Sequence, residues 1–118
     1  MKLPFEINEA IAETRARVRF HYPWWLRPFL MEGVGAITIG RRIYVRSGVG
    51  EHLHRLLRHE LEHVRQINKK GLLRFYILYV VEYLKNVRAG MTSYDAYRNI
   101  SFERDAYAAE EVPRSVDV

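Results

Sequence analysis

The segment from residue 51 to residue 69 constrains this 118-residue chain more than any other part of it. Its apolar residues recur with the period of an amphipathic helix, and Gly71 follows as a stop signal. His59 and His63 stand four residues apart within it, so they project from the same side of the predicted helix. Any fold of the chain must therefore bury the apolar face of this helix while leaving room for two imidazole rings beside it.

Glu60 occupies an unexpected place on this helix. At about 100° per residue, the apolar and the charged residues lie on separate faces, and the two histidines fall on the boundary between them. The apolar face holds Leu53, Leu56, Leu57, Leu61, Val64 and Ile67. Glu60 falls within that face, where an anion is costly unless it has a partner or a function. Two surface histidines beside a salt-bridged glutamate would be a purely structural explanation, but a metal site explains both positions and is favoured.

The five residues from His59 to His63 match the pattern H-E-x-x-H. Imidazoles one helical turn apart can bind one Zn²⁺ at about 2.0–2.1 Å. The glutamate beside the first histidine can reach a zinc-bound water and take its proton without binding the metal itself. Gln66 and Lys69 stand where an extended motif would supply glycine and a third histidine. A third protein ligand must therefore come from elsewhere in the chain.

The segments before this helix predict a small sheet. We expect a helix over 6–16, then a strand over 17–22 that competes with a longer helix. A hairpin signal follows, with strands at 36–39 and 43–45 around a turn at 40–42. The sheet would thus be an N-terminal hairpin or a three-stranded sheet.

The segments after this helix predict further helices. They are expected at 72–86, from Thr92, and from Ser101 to about Glu111. The helix at 72–86 is apolar nearly all round, so we expect it to be mostly buried. With strands early and helices late, the predicted class is α+β: one domain over 1–112 and a loose tail over 113–118.

Composition limits the compartment and the partners. The chain has no cysteine, which excludes disulfides and thiolate metal ligands. The N-terminus lacks a signal-peptide pattern, and the longest charge-free apolar run, 75–81, is far short of the ~20 residues of a spanning helix. The net charge is +5, but the arginines are scattered, so we expect no nucleic-acid partner. These features predict a cytoplasmic protein.

Beyond the motif, the chain resembles the zincin metallopeptidases. HELEHVRQ, a long helix and then SFERDAY are similar to the gluzincin type, and the size is similar to that of minimal single-domain zincins. The resemblance covers roughly residues 34–111. It implies one zinc ion per chain, with His59, His63 and Glu103 as ligands and Glu60 as the general base. It also implies hydrolysis of a peptide or protein substrate that lies along an edge strand beside the active-site helix.

The residues themselves leave several carboxylates as possible third ligands. Glu103 is favoured because Ala106, one turn later, would let its helix approach the histidines closely. A glutamate in a first helical turn also has a simpler explanation, since it favours the helix dipole. The other candidates are Glu82, Asp105, Glu110 and Glu111. Asp105 is the first alternative, although it projects about 200° away from Glu103.

Two further expectations concern aromatic residues. Tyr107 lies four residues after Glu103 and could donate a hydrogen bond to the oxyanion of a tetrahedral intermediate, although an ordinary half-buried tyrosine is the simpler interpretation. Four residues could form a docking face beside the 72–84 segment: Trp24, Trp25, Arg27 and Phe29. The alternative function is therefore a non-catalytic zinc-binding module that docks on a protein or a membrane surface. Peripheral membrane contact is possible in this interpretation but not favoured.

Overall fold

The computed structural model describes residues 3–25, 35–46 and 49–111. In chain order the elements are α1 (Phe5–Thr14), β1 (Arg17–Arg19), β2 (Ala36–Ile39), β3 (Arg42–Val45), α2 (Leu53–Lys70), α3 (Leu72–Arg88), α4 (Ser93–Arg98) and α5 (Ser101–Glu111). A 3-10 turn, Gly50–His52, leads into α2. The predicted α+β class is confirmed, since a three-stranded mixed sheet and five helices occupy these ranges.

The sheet has the strand order β1-β3-β2, which leaves β2 at one edge. The predicted hairpin is confirmed: β2 and β3 pair antiparallel, with Thr38 opposite Ile43. Its turn is one residue shorter than expected because Arg42 already belongs to β3. Gly40 in the turn adopts a positive φ of 64°. β1 joins β3 in parallel and is shorter than the expected 17–22 strand, since it pairs only along Arg42–Tyr44.

The main core forms where α2 packs between the sheet and α1. Its buried members are Ile7, Ala10, Ala16, Ile43, Val45, Leu53, Leu57, Leu61 and Val64. The apolar face predicted for α2 is therefore the face that the fold buries. Each fully buried valine, leucine or isoleucine side chain contributes about 1.5–3 kcal/mol to the stability of the fold. Because α2 supplies several of them, it is the element that packing stabilises most.

The expectation that the helix at 72–86 is mostly buried is wrong. Every residue of α3 is described, and among them Phe75 alone is buried. Leu73 is 75% exposed and Leu84 57% exposed. The reason is that α3 lies at the margin of the fold and packs with one side only, which is lined by aromatic and polar residues. Most of its aliphatic residues are left exposed on the opposite side.

The short helices at the C-terminal end are fixed by capping contacts. Thr92 caps α4 as the sequence predicts, because its Oγ1 accepts a hydrogen bond from the backbone N–H of Asp95 at 3.1 Å. The Glu82 carboxylate of α3 accepts bonds from the N–H and the hydroxyl of Ser101, at 2.9 and 2.7 Å. The start of α5 is thereby tied to the middle of α3.

Part of the predicted docking face lies outside the described residues, namely Arg27 and Phe29. The predicted tail at 113–118 lies outside them as well, and the single-domain boundary stays a prediction. Among the described helices, none combines the length and the apolar character needed to cross a bilayer.

Leu57→Ala should destabilise the fold by about 2–5 kcal/mol, because it opens a cavity in the fully buried core. Leu84→Ala, the same change on the exposed side of α3, should alter the free energy of unfolding by no more than about 0.5 kcal/mol. Urea unfolding followed by circular dichroism measures both. Equal losses in the two variants would contradict this account of the core.

Candidate metal centre

Three buried side chains from two helices converge at one point. His59 and His63 lie one turn apart on α2, and Glu103 lies in the first turn of α5. The Nε2 atoms of the two rings contact the same oxygen, Oε1 of Glu103, at 2.9 and 3.1 Å. The three residues are between 4% and 6% exposed. The structure thus brings together the histidine pair and the carboxylate that the sequence favours as third ligand.

The approach of α5 to α2 depends on small and apolar residues around Glu103. Ala106 is fully buried, as expected for a residue that lets two helices come close. Phe102 and Ile100 belong to a second apolar cluster with Ile67 of α2 and Phe75 of α3. This cluster fixes the first turn of α5 and therefore the position of the Glu103 carboxylate.

The outer nitrogen of each ring also has a partner. Nδ1 of His59 lies 2.7 Å from Oε2 of Glu110, and Nδ1 of His63 lies 2.9 Å from Oε1 of Gln66. Both partner oxygens are acceptors, so each Nδ1 carries a hydrogen and each Nε2 points to the centre. Such outer contacts set the orientation and tautomer of metal-binding histidines.

Neither outer partner was recognised from the sequence. The sequence offers Glu110 only as a possible third ligand, yet it lies seven residues after Glu103 and so on the same face of α5. Gln66 is three residues after His63, and its Nε2 also donates to the Phe102 carbonyl at 3.0 Å. The helical spacing of both residues was the available signal.

Glu60 lies beside the cluster and is itself buried. Its Oε1 accepts a hydrogen bond of 2.7 Å from the Thr38 hydroxyl of β2, and its Oε2 lies 3.9 Å from Nε2 of His59. Ligand-capable atoms of His59, Glu60 and His63 lie within 4.8 Å of one another. This buried group could bind a metal ion.

Tyr79 of α3 completes the surroundings of Glu103. Its hydroxyl donates to Oε2 of Glu103 at 2.5 Å, so both oxygens of this carboxylate are held. The sequence does not point to this residue, because a tyrosine in an apolar helix gives no spacing signal toward a site on another helix. Burial, and then the nearby charge of Glu103, raises the pKa of Tyr79, so its hydroxyl stays a donor.

Tyr107 borders the centre and contacts His59. Its ring lies against that of His59, with centroids 4.5 Å apart, and its hydroxyl is 3.1 Å from that of Tyr97. The guanidinium carbon of Arg98 lies over the Tyr107 ring, 3.7 Å from the ring centroid. Burial raises the pKa of both tyrosines, which therefore present protonated hydroxyls next to the centre.

The centre favours positive charge beside Glu103. Burial opposes ionisation of all three groups, but their mutual hydrogen bonds outweigh it. The bond to Glu103 raises the pKa of His59, and it raises the pKa of His63 to about 9. The bonds from both rings hold the pKa of Glu103 below its ordinary value. A divalent cation would meet the same stabilisation, because metal ions bind histidine nitrogens in place of protons.

None of the other candidate carboxylates lies with Glu103 between the two histidines. Asp105, the first alternative, is exposed. Glu82 is bound to Ser101, and the Glu111 side chain is 68% exposed in an ion pair with Arg55. Glu110 alone among them reaches the cluster, and it does so on the outer side of His59.

The description of the candidate centre rests on the residues of this chain alone. Comparison of the chain with protein-family models, with curated proteins and with solved structures finds no match. Membership of the zincins stays a prediction, and a function has to be inferred from the contacts of the buried centre.

Glu110→Ala should weaken the affinity for a divalent ion such as Zn²⁺ by about 10–100-fold, because His59 loses the acceptor that orients its ring. Competition with a chromophoric chelator measures this affinity. The matched control is Glu111→Ala, which removes a neighbouring carboxylate that contacts only Arg55 among the described residues, and it should bind Zn²⁺ like the parent chain. An unchanged affinity in Glu110→Ala would contradict the orienting role.

Proposed function

We propose that this protein is a zinc-dependent hydrolase that cleaves peptide bonds. The observation that carries the proposal is the convergence of Nε2 of His59, Nε2 of His63 and Oε1 of Glu103 in a buried site. Two imidazoles and one carboxylate form a ligand set of catalytic zinc sites, which keep a fourth position open for substrate or water.

The donor chemistry of the site fits zinc. A borderline-soft ion suits imidazole nitrogen together with carboxylate oxygen, whereas magnesium and calcium prefer sites made of oxygen. Each Nδ1 hydrogen faces an acceptor, Glu110 or Gln66, which leaves the lone pair of each Nε2 for a metal. His59, His63 and Glu103 would hold the ion, and Tyr79 would keep the Glu103 carboxylate in place.

A zinc ion bound here would lower the pKa of water and polarise a substrate carbonyl. Glu60 would carry out the proton transfer. Thr38 holds one of its oxygens, so the other is directed beside the histidine pair. Glu60 would take a proton from the attacking water and then deliver it to the leaving amine, as a general base and then a general acid.

The position of Thr38 favours a peptide as the substrate. Thr38 belongs to the edge strand β2 and contacts the proposed base directly. A peptide added along this edge would gain main-chain hydrogen bonds and would run past Glu60. The Tyr76 hydroxyl already bonds to the Thr38 carbonyl and to the N–H of Gly40, so we expect the peptide to pair toward the Ala36 end.

Glu60 also distinguishes this proposal from a structural zinc site. A structural site is closed by four protein ligands and has no need of a buried carboxylate that bonds to a substrate-side strand. Glu60 instead bonds to Thr38, and Glu103 is the carboxylate in contact with both histidines.

The first test separates metal binding from turnover. Purified protein should contain about one zinc per chain, and His59→Ala should lose it. Glu60→Gln should keep the zinc and lose about 10²–10⁴-fold in kcat on peptide substrates, because it removes the base alone. Elemental analysis and a quenched-fluorescence peptide library measure the two quantities.

His52→Ala is the control for that test, since this histidine is exposed just before α2 and its side chain makes no cap bond. It should keep both zinc and activity. An active Glu60→Gln enzyme would refute the assignment of the base, and zinc-free wild-type protein after growth with added zinc would refute the metal site.

The second test concerns Tyr107. If its hydroxyl stabilises the oxyanion, Tyr107→Phe should lower kcat by about 10²–10³-fold and leave KM nearly unchanged. Tyr94→Phe is the matched control, because Tyr94 is 63% exposed. An unchanged kcat in Tyr107→Phe would limit this residue to packing against His59.

A further inference from the structure

The outer side of α3 is an exposed aliphatic stripe. Its residues recur at alternating steps of four and three along the helix. They are Leu73, Ile77, Val80, Leu84 and Val87, with exposures of 75%, 52%, 51%, 57% and 41%. Leu72 and Val81 are exposed beside them. Soluble monomers rarely expose a contiguous apolar patch of this extent without a binding function.

The inner side of α3 prevents the stripe from turning inward. Tyr79 bonds to Glu103, Glu82 bonds to Ser101, and the Asn86 amide donates to the Ala96 carbonyl at 3.0 Å. Phe75 packs into the second apolar cluster. Since these residues recur at helical spacing opposite the stripe, the orientation of α3 is fixed by its polar and aromatic contacts.

The exposed charges on α3 and just before it all have one sign. Between residues 69 and 88 the exposed charged residues are Lys69, Lys70, Arg74, Lys85 and Arg88. The single acidic residue in that span is Glu82, which is bound to Ser101 on the inner side. The exposed face of α3 therefore combines an apolar centre with cations, the pattern of helices that lie in the surface of an anionic membrane.

We infer that α3 docks this protein on an anionic lipid surface. The aliphatic stripe would enter the boundary between headgroups and acyl chains, while the lysines and arginines would contact lipid phosphates. The helix would lie in the plane of the surface, in agreement with the absence of a membrane-spanning helix among the described residues. The metal centre would stay on the opposite side of α3. This inference does not depend on the proposed hydrolase activity.

A second copy of the chain fits the stripe less well. In an antiparallel pair of α3 helices centred on Val81, Arg74 of one copy would lie near Arg88 of the other, and a parallel pair would place each cation near its own equivalent. The apolar arc from Val87 to Val81 is also about 120° wide at 100° per residue, which exceeds the narrow seam of a coiled coil.

Vesicle co-sedimentation tests the inference on the full chain. The protein should sediment with vesicles of phosphatidylcholine and phosphatidylglycerol at low salt. It should bind much less to phosphatidylcholine alone, and less to the anionic vesicles at high salt, because screening weakens the attraction of the cations. Absence of binding to anionic vesicles at low salt, or equal binding to both compositions, would overturn the inference.

Substitutions locate the surface. Leu73→Glu and Leu84→Glu should each abolish sedimentation with anionic vesicles, while Phe5→Glu, at a residue of α1 that is 74% exposed, should leave it unchanged. Arg74→Gln and Lys85→Gln should each weaken partitioning about fivefold, as expected from roughly 1 kcal/mol per cation near an anionic surface. Circular dichroism of each variant verifies the fold, and the use of two positions of each kind protects the test against one that does not fold.

Two results would contradict the assignment of the stripe to a lipid surface. Concentration-dependent dimers in sedimentation velocity that Leu73→Glu abolishes, without vesicle binding, would replace the lipid surface by a second copy. Equal loss of vesicle binding in Phe5→Glu would show that α3 is not the docking element. Treatment of the parent chain with a zinc chelator should leave vesicle binding unchanged, so failure of the metal proposal and failure of this inference are distinguishable.

Discussion

One carboxylate oxygen joins the two helices α2 and α5. Oε1 of Glu103 accepts contacts from both imidazoles of α2, and the site is almost completely shielded from water. Burying an anion there would be costly without those rings, and burying two ionised rings would be costly without the anion. The close packing of α5 on α2 and the geometry of the centre therefore depend on each other.

The supporting contacts all restrict the positions of the side chains in the centre. Gln66 and Glu110 hold the outer ring nitrogens, Tyr79 holds the second oxygen of Glu103, and Thr38 holds Glu60. In the described parts of the chain, no buried side-chain nitrogen or oxygen lacks a hydrogen-bond partner. A centre built in this way is organised before a ligand arrives, which is what a metal site or an active site requires.

α3 connects the buried centre to the molecular surface. Its inner side supplies Tyr79 to Glu103 and Glu82 to the start of α5, so it helps to position the third proposed ligand. Its outer side presents aliphatic residues and cations. Its apolar residues are therefore too exposed to belong to the core.

The sequence by itself determined the elements and the proximity of His59 to His63, because helical and strand periodicities are local properties of the chain. It also gave reasons to favour Glu103 over Asp105. Periodicity could not determine which side of α3 meets its neighbours, since aliphatic residues line one side of that helix and aromatic residues occur on the other. Only the tertiary structure brought Tyr79, Thr38 and Glu110 to the centre, because these contacts join residues 24, 22 and 51 positions apart. Such contacts depend on how whole helices and strands pack, and no local pattern encodes that packing.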